Sequence, residues 1–209
     1  MIENCGDIYS PHIFANLTWN GEHYDEFFDL YKYTFPEFLQ INMVNPRRIE
    51  DRGERARWFY RDVRRAFLLG SIFWTEIGER FGPEDLDLLA YFRQALQMRI
   101  HLGPTLLVAE FAYHDELPGL GPGNGAGLRA TNWRLSDGGR LLLAVNGTGQ
   151  EGTLLLDLDR GLQERALAVS LLGPDGWTTP RRVRPSGASM EVPIGSLPFT
   201  AARIQPKDE

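Results

Sequence analysis

Residues 117–127 read LPGLGPGNGAG, and this stretch limits the possible folds more than any other. Five glycines and two prolines leave almost no side chains to bury. A segment of this kind joins structures rather than filling the interior of one. Composition changes across it: of the 24 aromatic residues, 21 precede residue 117, and only Trp133, Trp177 and Phe199 follow. All four histidines also come first. The chain therefore divides into a region 1–116, a linker 117–127 and a region 128–209.

Downstream of the linker, runs such as GRLLLAVNGT, GTLLLDLD, ALAVSLLG and SMEVPIGS are separated by DGG, NGTGQEG, DRG, PDG and PSG. These separators are turn signals, and Asp137-Gly138-Gly139 between two strand runs marks a hairpin. About 80 residues in seven short strands suit an antiparallel β-sandwich.

Upstream, helical and strand patterns alternate. HYDEFFDLYKYTF (23–35) places Tyr24, Phe27, Phe28 and Tyr31 at helical spacing, and Pro36 ends it. FLQINMV (38–44) reads as a buried strand closed by Asn45-Pro46. ERARWFYRDVRRAF (54–67) predicts a helix with Trp58, Val63 and Phe67 inward and its arginines in solvent. LLGSIFWT (68–75) suits a strand. PEDLDLLAYFRQALQMRI (83–100) predicts a long helix with the stripe Leu86, Leu89, Phe92 or Arg93, Leu96 and Ile100. Pro83, Glu84 and Asp85 suit its first turn. A last helical piece is expected over 103–111. Strand, helix, strand, helix is the grammar of a parallel α/β layer. Three strands, at Ile2–Cys5, Phe38–Met43 and Leu69–Trp74, are too few for a closed barrel of eight.

This order of parts resembles the C-terminal end of a bacterial glycoside hydrolase-like TIM-barrel protein, related in plan to α-galactosidase-like and α-amylase-like enzymes. IENCGDIYS resembles a late barrel strand delivering an acid to the catalytic face. LLGSIFWTE resembles the closing strand, and LLAYFRQALQMRIHLGPTLLVAEF the terminal helix and exit segment. GRLLLAVNGTGQEGTLLLDL resembles a strand pair of the following sandwich. The resemblance implies α/β plus all-β architecture: the last three or so βα units of a (β/α)8 barrel, then a β-sandwich. It also implies that the chain is the back part of a longer enzyme, inactive alone, whose missing barrel half acts in cis or is replaced by self-association.

Barrel active sites lie at the carboxyl ends of the strands. Glycoside cleavage uses two carboxyl groups, one to protonate the leaving oxygen and one to attack or to activate water. The resemblance places Glu3 there as acid/base and Asp7 as a hydrogen-bonding group or alternative acid, with the second carboxylate upstream. Trp19, Asn42, Trp74 and Glu76 are candidate substrate-binding residues, because a pyranose offers an apolar face to an aromatic ring and a hydroxyl rim to polar groups. Each also suits ordinary packing or a solvated loop.

Other chemistries find less support. A net charge of −6 argues against nucleic acid. The basic run Arg61–Arg65 contains Asp62 and is expected on a solvated helix face. Cys5 is the single cysteine and has no histidine beside it in a nucleophile motif. The histidines lack metal-ligand spacing, so neither metal nor cofactor is expected. GPGNGAG lacks the Lys-Ser/Thr of a phosphate loop. No run reaches the ~18 apolar residues of a membrane span, and localisation stays open. Asn16-Leu17-Thr18 and Asn146-Gly147-Thr148 match the glycosylation pattern. Two alternatives to a hydrolase are a non-catalytic carbohydrate-binding or structural module and a small self-associating α/β protein.

Overall fold

The computed structural model describes residues 2–3, 15–18, 32, 39–76, 81–113, 117 and 127–207. It divides into two compact units, Met1–Ile100 and His101–Glu209. The first combines helices with a parallel sheet, and the second is built on antiparallel strands.

In the first unit, β1 (Ile2–Glu3), β2 (Ala15–Thr18), β3 (Leu39–Met43) and β4 (Ile72–Trp74) form one sheet in chain order, every pair parallel. β2 was not expected: ANLT is too short and polar to signal a strand. Of the expected helix 23–35 only Lys32 is described; it is helical and buried.

Helix α1 (Arg52–Leu68) carries the chain from β3 to β4. Its first turn is capped by Asp51, whose carboxylate accepts the Glu54 N–H at 2.6 Å. It ends where Gly70, at φ 61°, donates to Phe67 O while Ser71 donates to Ala66 O. That pair of bonds is a Schellman closure, which needs a left-handed residue and so favours glycine.

The inward face of α1 is Phe59, Asp62, Val63, Ala66 and Phe67. Trp58, expected inside, is half-buried, with the Arg47 and Arg61 guanidinium carbons 4.0 and 3.8 Å from its ring centroid. The basic run is not a solvated face either. Asp62 is 1% exposed with Arg47 at 3.4 Å, and Arg64 donates to the Tyr91 hydroxyl at 2.7 Å.

Helix α2 (Leu86–Leu106) follows a single 3-10 turn, Pro83–Asp85. It continues unbroken through the start of the segment expected as a separate helix at 103–111, and the rest of that segment enters a strand. The stripe expected for it is rotated. Leu88, Phe92, Ala95 and Met98 are buried, whereas Leu86 and Ile100 are 69% and 66% exposed. Leucine, alanine and isoleucine lie around much of this helix, so periodicity admits two faces and tertiary packing chooses between them.

In the second unit, the strands are β5 (Glu110–Tyr113), β6 (Leu128–Arg134), β7 (Arg140–Asn146), β8 (Gly152–Asp157), β9 (Ala166–Gly173), β10 (Gly176–Trp177), β11 (Arg181–Val183), β12 (Ser189–Ile194) and β13 (Phe199–Lys207). A short helix, α3 (Arg160–Gln163), lies between β8 and β9. A seven-stranded antiparallel sheet runs β10-β9-β13-β7-β6-β5, with β11 also on the edge of β9. β12 and β8 form a separate two-stranded sheet. The unit begins ahead of the glycine-rich linker because β5 pairs with β6.

One apolar cluster takes Leu142, Ala144, Val169 and Ile204 from the large sheet and Leu154, Leu156, Val192 and Ile194 from the small one. Every residue of β7 is buried, so both faces of the large sheet are covered there. This explains its continuous apolar run. Trp133 is 1% exposed, edge-on to Phe111 at 4.8 Å.

Asn146 closes the end of β7. Its Nδ2 donates to Gln150 O at 2.6 Å and Gly195 O at 2.9 Å, and its Oδ1 accepts from the Thr148 N–H and hydroxyl. The amide that a glycan would need is thus fully used and 4% exposed.

Two outcomes are expected. Gly70→Ala should lower unfolding free energy by about 1 kcal/mol in urea titration, since a Cβ is disfavoured at positive φ. Asn146→Ala, which strands two carbonyls, should cost about 2 kcal/mol, and peptide mapping after expression in a glycosylating host should find no sugar on Asn146.

Candidate functional site

Parallel strands all present their carboxyl ends on one side, and in open or closed α/β sheets ligands bind there. Glu3 closes β1 and pairs in register with Leu17, which pairs with Ile41, which pairs with Ile72. One step along, Asn42 pairs with Thr18 on one side and Phe73 on the other; one further, Met43 pairs with Trp74. The candidates Glu3 on β1, Asn42 on β3 and Trp74 on β4 are therefore aligned to within two residues along the sheet.

Register also sorts them by face. Paired residues of a parallel ladder leave the sheet on the same side, and successive residues alternate. Asn42 shares the side of Phe73, whose ring lies 5.4 Å from that of Phe92 on α2. Asn42 is fully buried there. Trp74 leaves on the opposite side with Ile72, and both are 38% exposed. Trp74 and Asn42 are thus not brought together.

Glu76 is held by a residue with which sequence reasoning did not connect it. Past the end of the ladder, the Val44 N–H donates to Trp74 O at 2.8 Å, which brings Asn45 beside the exit of β4. Asn45 Oδ1 accepts from Thr75 Oγ1 and from the Glu76 N–H, each at 3.0 Å, and its Nδ2 donates to Glu76 Oε2 at 3.3 Å. The signal for it was present: Asn-Pro directly after a buried strand is a side chain free to bond backbone where the ladder stops. The result is a half-buried carboxylate with a fixed orientation, one residue beyond the exposed Trp74 ring. Such a pair can bind a polar molecule that has one apolar face.

Asp7 and Trp19 lie outside the described residues, as does everything after Glu3 in the IENCGDIYS segment. Among the described residues no group of three or more His, Cys, Asp or Glu could hold a metal ion, and no helix is long and apolar enough to cross a membrane. Two depressions of about 600 and 550 Å³ occur in the second unit, and no candidate residue lines either. The larger has a floor of Val169, Val183 and Met190, with Arg181 and Glu191 at the rim, between β11 and β12.

No protein-family model matches the chain, and no curated protein matches its sequence. Solved structures similar to it include an Anoxybacillus α-amylase, at 16% identity and a TM-score of 0.44, over 88% of this chain and 43% of that one. A GH30 endoxylanase from Clostridium papyrosolvens aligns at 7% identity and a TM-score of 0.47, over 92% and 49%. A GH27 β-L-arabinopyranosidase from Geobacillus stearothermophilus aligns at 10% and 0.43, over 92% and 45%. The chain thus spans less than half the length of each of these glycoside hydrolases. Overlays this loose transfer neither residue nor reaction.

Proposed function

We propose that this chain is the C-terminal part of a glycoside hydrolase-like enzyme, its first unit the last strands of a (β/α)8 barrel and its second unit a β-sandwich. The observation that carries the reading is the parallel sheet itself. Four strands lie side by side in chain order, and the last ends in an exposed Trp74 followed by an oriented Glu76. Parallel sheets are normally covered on both faces. An edge strand with Ile72 and Trp74 both 38% exposed suits a layer that continues with further strands.

Within this reading Glu3, at the carboxyl end of β1, is the acid/base group, and Asp7 is its alternative. The partner carboxylate belongs to the preceding polypeptide, so the chain alone does not turn over substrate. Trp74 and Trp19 offer ring faces to the sugar, and Glu76 accepts from its hydroxyls. Asn42 lies on the face opposite Trp74, and on this reading it packs β3 and makes no sugar contact.

The binding-module alternative has a specific difficulty. Of the three aromatic residues after the linker, Trp133 and Phe199 are buried, and only Trp177 is partly exposed. A single ring is a thin platform for a sugar.

The test begins with the reading frame upstream of Met1. It should encode further strand–helix units, and the longer protein should hydrolyse members of a nitrophenyl glycoside panel. In that protein Glu3→Gln should lower kcat by about 10²–10⁴-fold, the range of a lost general acid. Trp74→Ala should raise KM with little change in kcat, as expected for uniform binding. A stop codon immediately upstream, or full activity in Glu3→Gln, would overturn the assignment. A stop codon together with a dimer in sedimentation would favour self-association through the exposed edge of β4.

A further inference from the structure

The two sheets of the second unit are unequal, seven strands against two. Where the smaller sheet runs out lies the depression of about 600 Å³ between β11 and β12. On the β12 side it is lined by Met190 and Ile194, which are buried in the core, and by Glu191 and Pro193, which are exposed on the opposite face. Residues from both faces of a strand line one space only along its edge. Among the described residues β12 has β8 as its sole strand neighbour, so the cleft follows the open edge of β12.

On the other side, register decides what faces the cleft. β11 pairs antiparallel with β9, Arg181 opposite Val169 and Val183 opposite Leu167. Directly opposed residues leave a sheet on the same side. Val169 and Leu167 belong to the apolar cluster between the sheets. Arg181 therefore also leaves toward the inside, whereas Arg182, opposite Ala168, leaves outward. Val183 packs against the same cluster, so the floor beside Arg181 is apolar. Among the described residues Arg181 makes no hydrogen bond or ion pair.

The volume is within the range of small-ligand sites, which combine apolar walls with a few polar groups. Here the apolar walls are aliphatic, without an aromatic ring among the lining residues, and the one charge on the inner face is positive. A molecule with an aliphatic body and a single carboxylate answers both features. Its body covers Val169, Val183 and Met190, and its head takes two parallel N–H bonds from the guanidinium fork. Glu151 and Glu191 at the rim disfavour a second negative charge.

We propose that the cleft between β11 and β12 binds an amphipathic monocarboxylate, its alkyl body on the core floor and its carboxylate on Arg181. The site lies within the second unit and does not depend on the glycoside hydrolase reading. An inward charge on an edge strand also discourages pairing with another sheet. If that were its whole role, no ligand would bind.

The experiment is equilibrium dialysis of the full chain against octanoate below its micelle threshold, with hexanoate, octanol and octylammonium as comparisons. The parent should bind one octanoate saturably, about four-fold more tightly for each methylene gained over hexanoate, and about ten-fold more tightly than octanol. Arg181 is exposed, so its variants should fold as the parent does. Arg181→Met should bind octanoate no better than octanol, and Arg181→Glu should prefer octylammonium. Val183→Gln should weaken octanoate and octanol alike, because it makes the floor polar. Absence of saturable octanoate binding, equal affinity for octanoate and octanol in the parent, or unchanged octanoate affinity in Arg181→Met overturns the site.

Discussion

Parallel strands cannot be joined by a turn; each neighbouring pair needs a crossover that returns the chain to the same end of the sheet. In this protein everything at the strand ends depends on how firmly one such crossover, α1, is fixed between β3 and β4. Its start is capped by Asp51 and its end is closed through Gly70, so the register Met43–Trp74 follows from local bonds at both ends. That register in turn brings Asn45 to Thr75 and Glu76. A slip of one residue would exchange the faces of β4 and turn Trp74 under the helices.

The crossover is also clamped to the helix that follows. Asp85, fully buried just before α2, accepts from Arg55 of α1 at 2.6 Å and from the Gly82 N–H at 2.9 Å. Both bonds end on Oδ2, and Oδ1 is buried without a hydrogen-bond partner among the described residues, so the carboxylate depends on the Arg55 charge and loss of either member would leave the other stranded. The neighbouring Arg52–Asp87 pair, with both side chains at least half exposed, adds little beside it. Between the helices Tyr60 and Tyr91 lie 4.5 Å apart, and burial raises the pKa of each. Phe59, Phe81, Phe92 and Phe73 continue the contact toward the sheet. Among the described residues, these rings serve the packing of the two helices on each other and on the sheet.

Strand and turn chemistry was legible in the second region because its apolar runs end in Asp, Gly and Asn at regular intervals. The same signals placed Asn146 at the end of a strand, where it is a clamp. The first region was harder for identifiable reasons. α2 carries apolar residues on more than one side, so Leu96 and Ile100 matched the helical period yet face outward. Trp58 looked like core because aromatic residues usually are, but two arginines lie against its ring. Trp74 and Glu76 could be picked out as a strand end. That Asn42 would emerge on the face opposite Trp74 could not, since alternation along β3 has meaning only once the partner strand is known. Asn45-Pro46 did signal a side chain free to bond backbone at the strand end, but its partners Thr75 and Glu76 could not be read for the same reason.

β4 is only three residues long and forms an edge of its sheet. Three register pairs with β3 hold it, and past them the Val44 N–H to Trp74 O and the Asn45 side chain to Thr75 and Glu76 extend the hold by two residues. An edge strand this short, with Ile72 and Trp74 both 38% exposed, is the part of the sheet where local opening costs least. The bonds from Asn45 are therefore what keeps Trp74 and Glu76 in one arrangement once the ladder has ended.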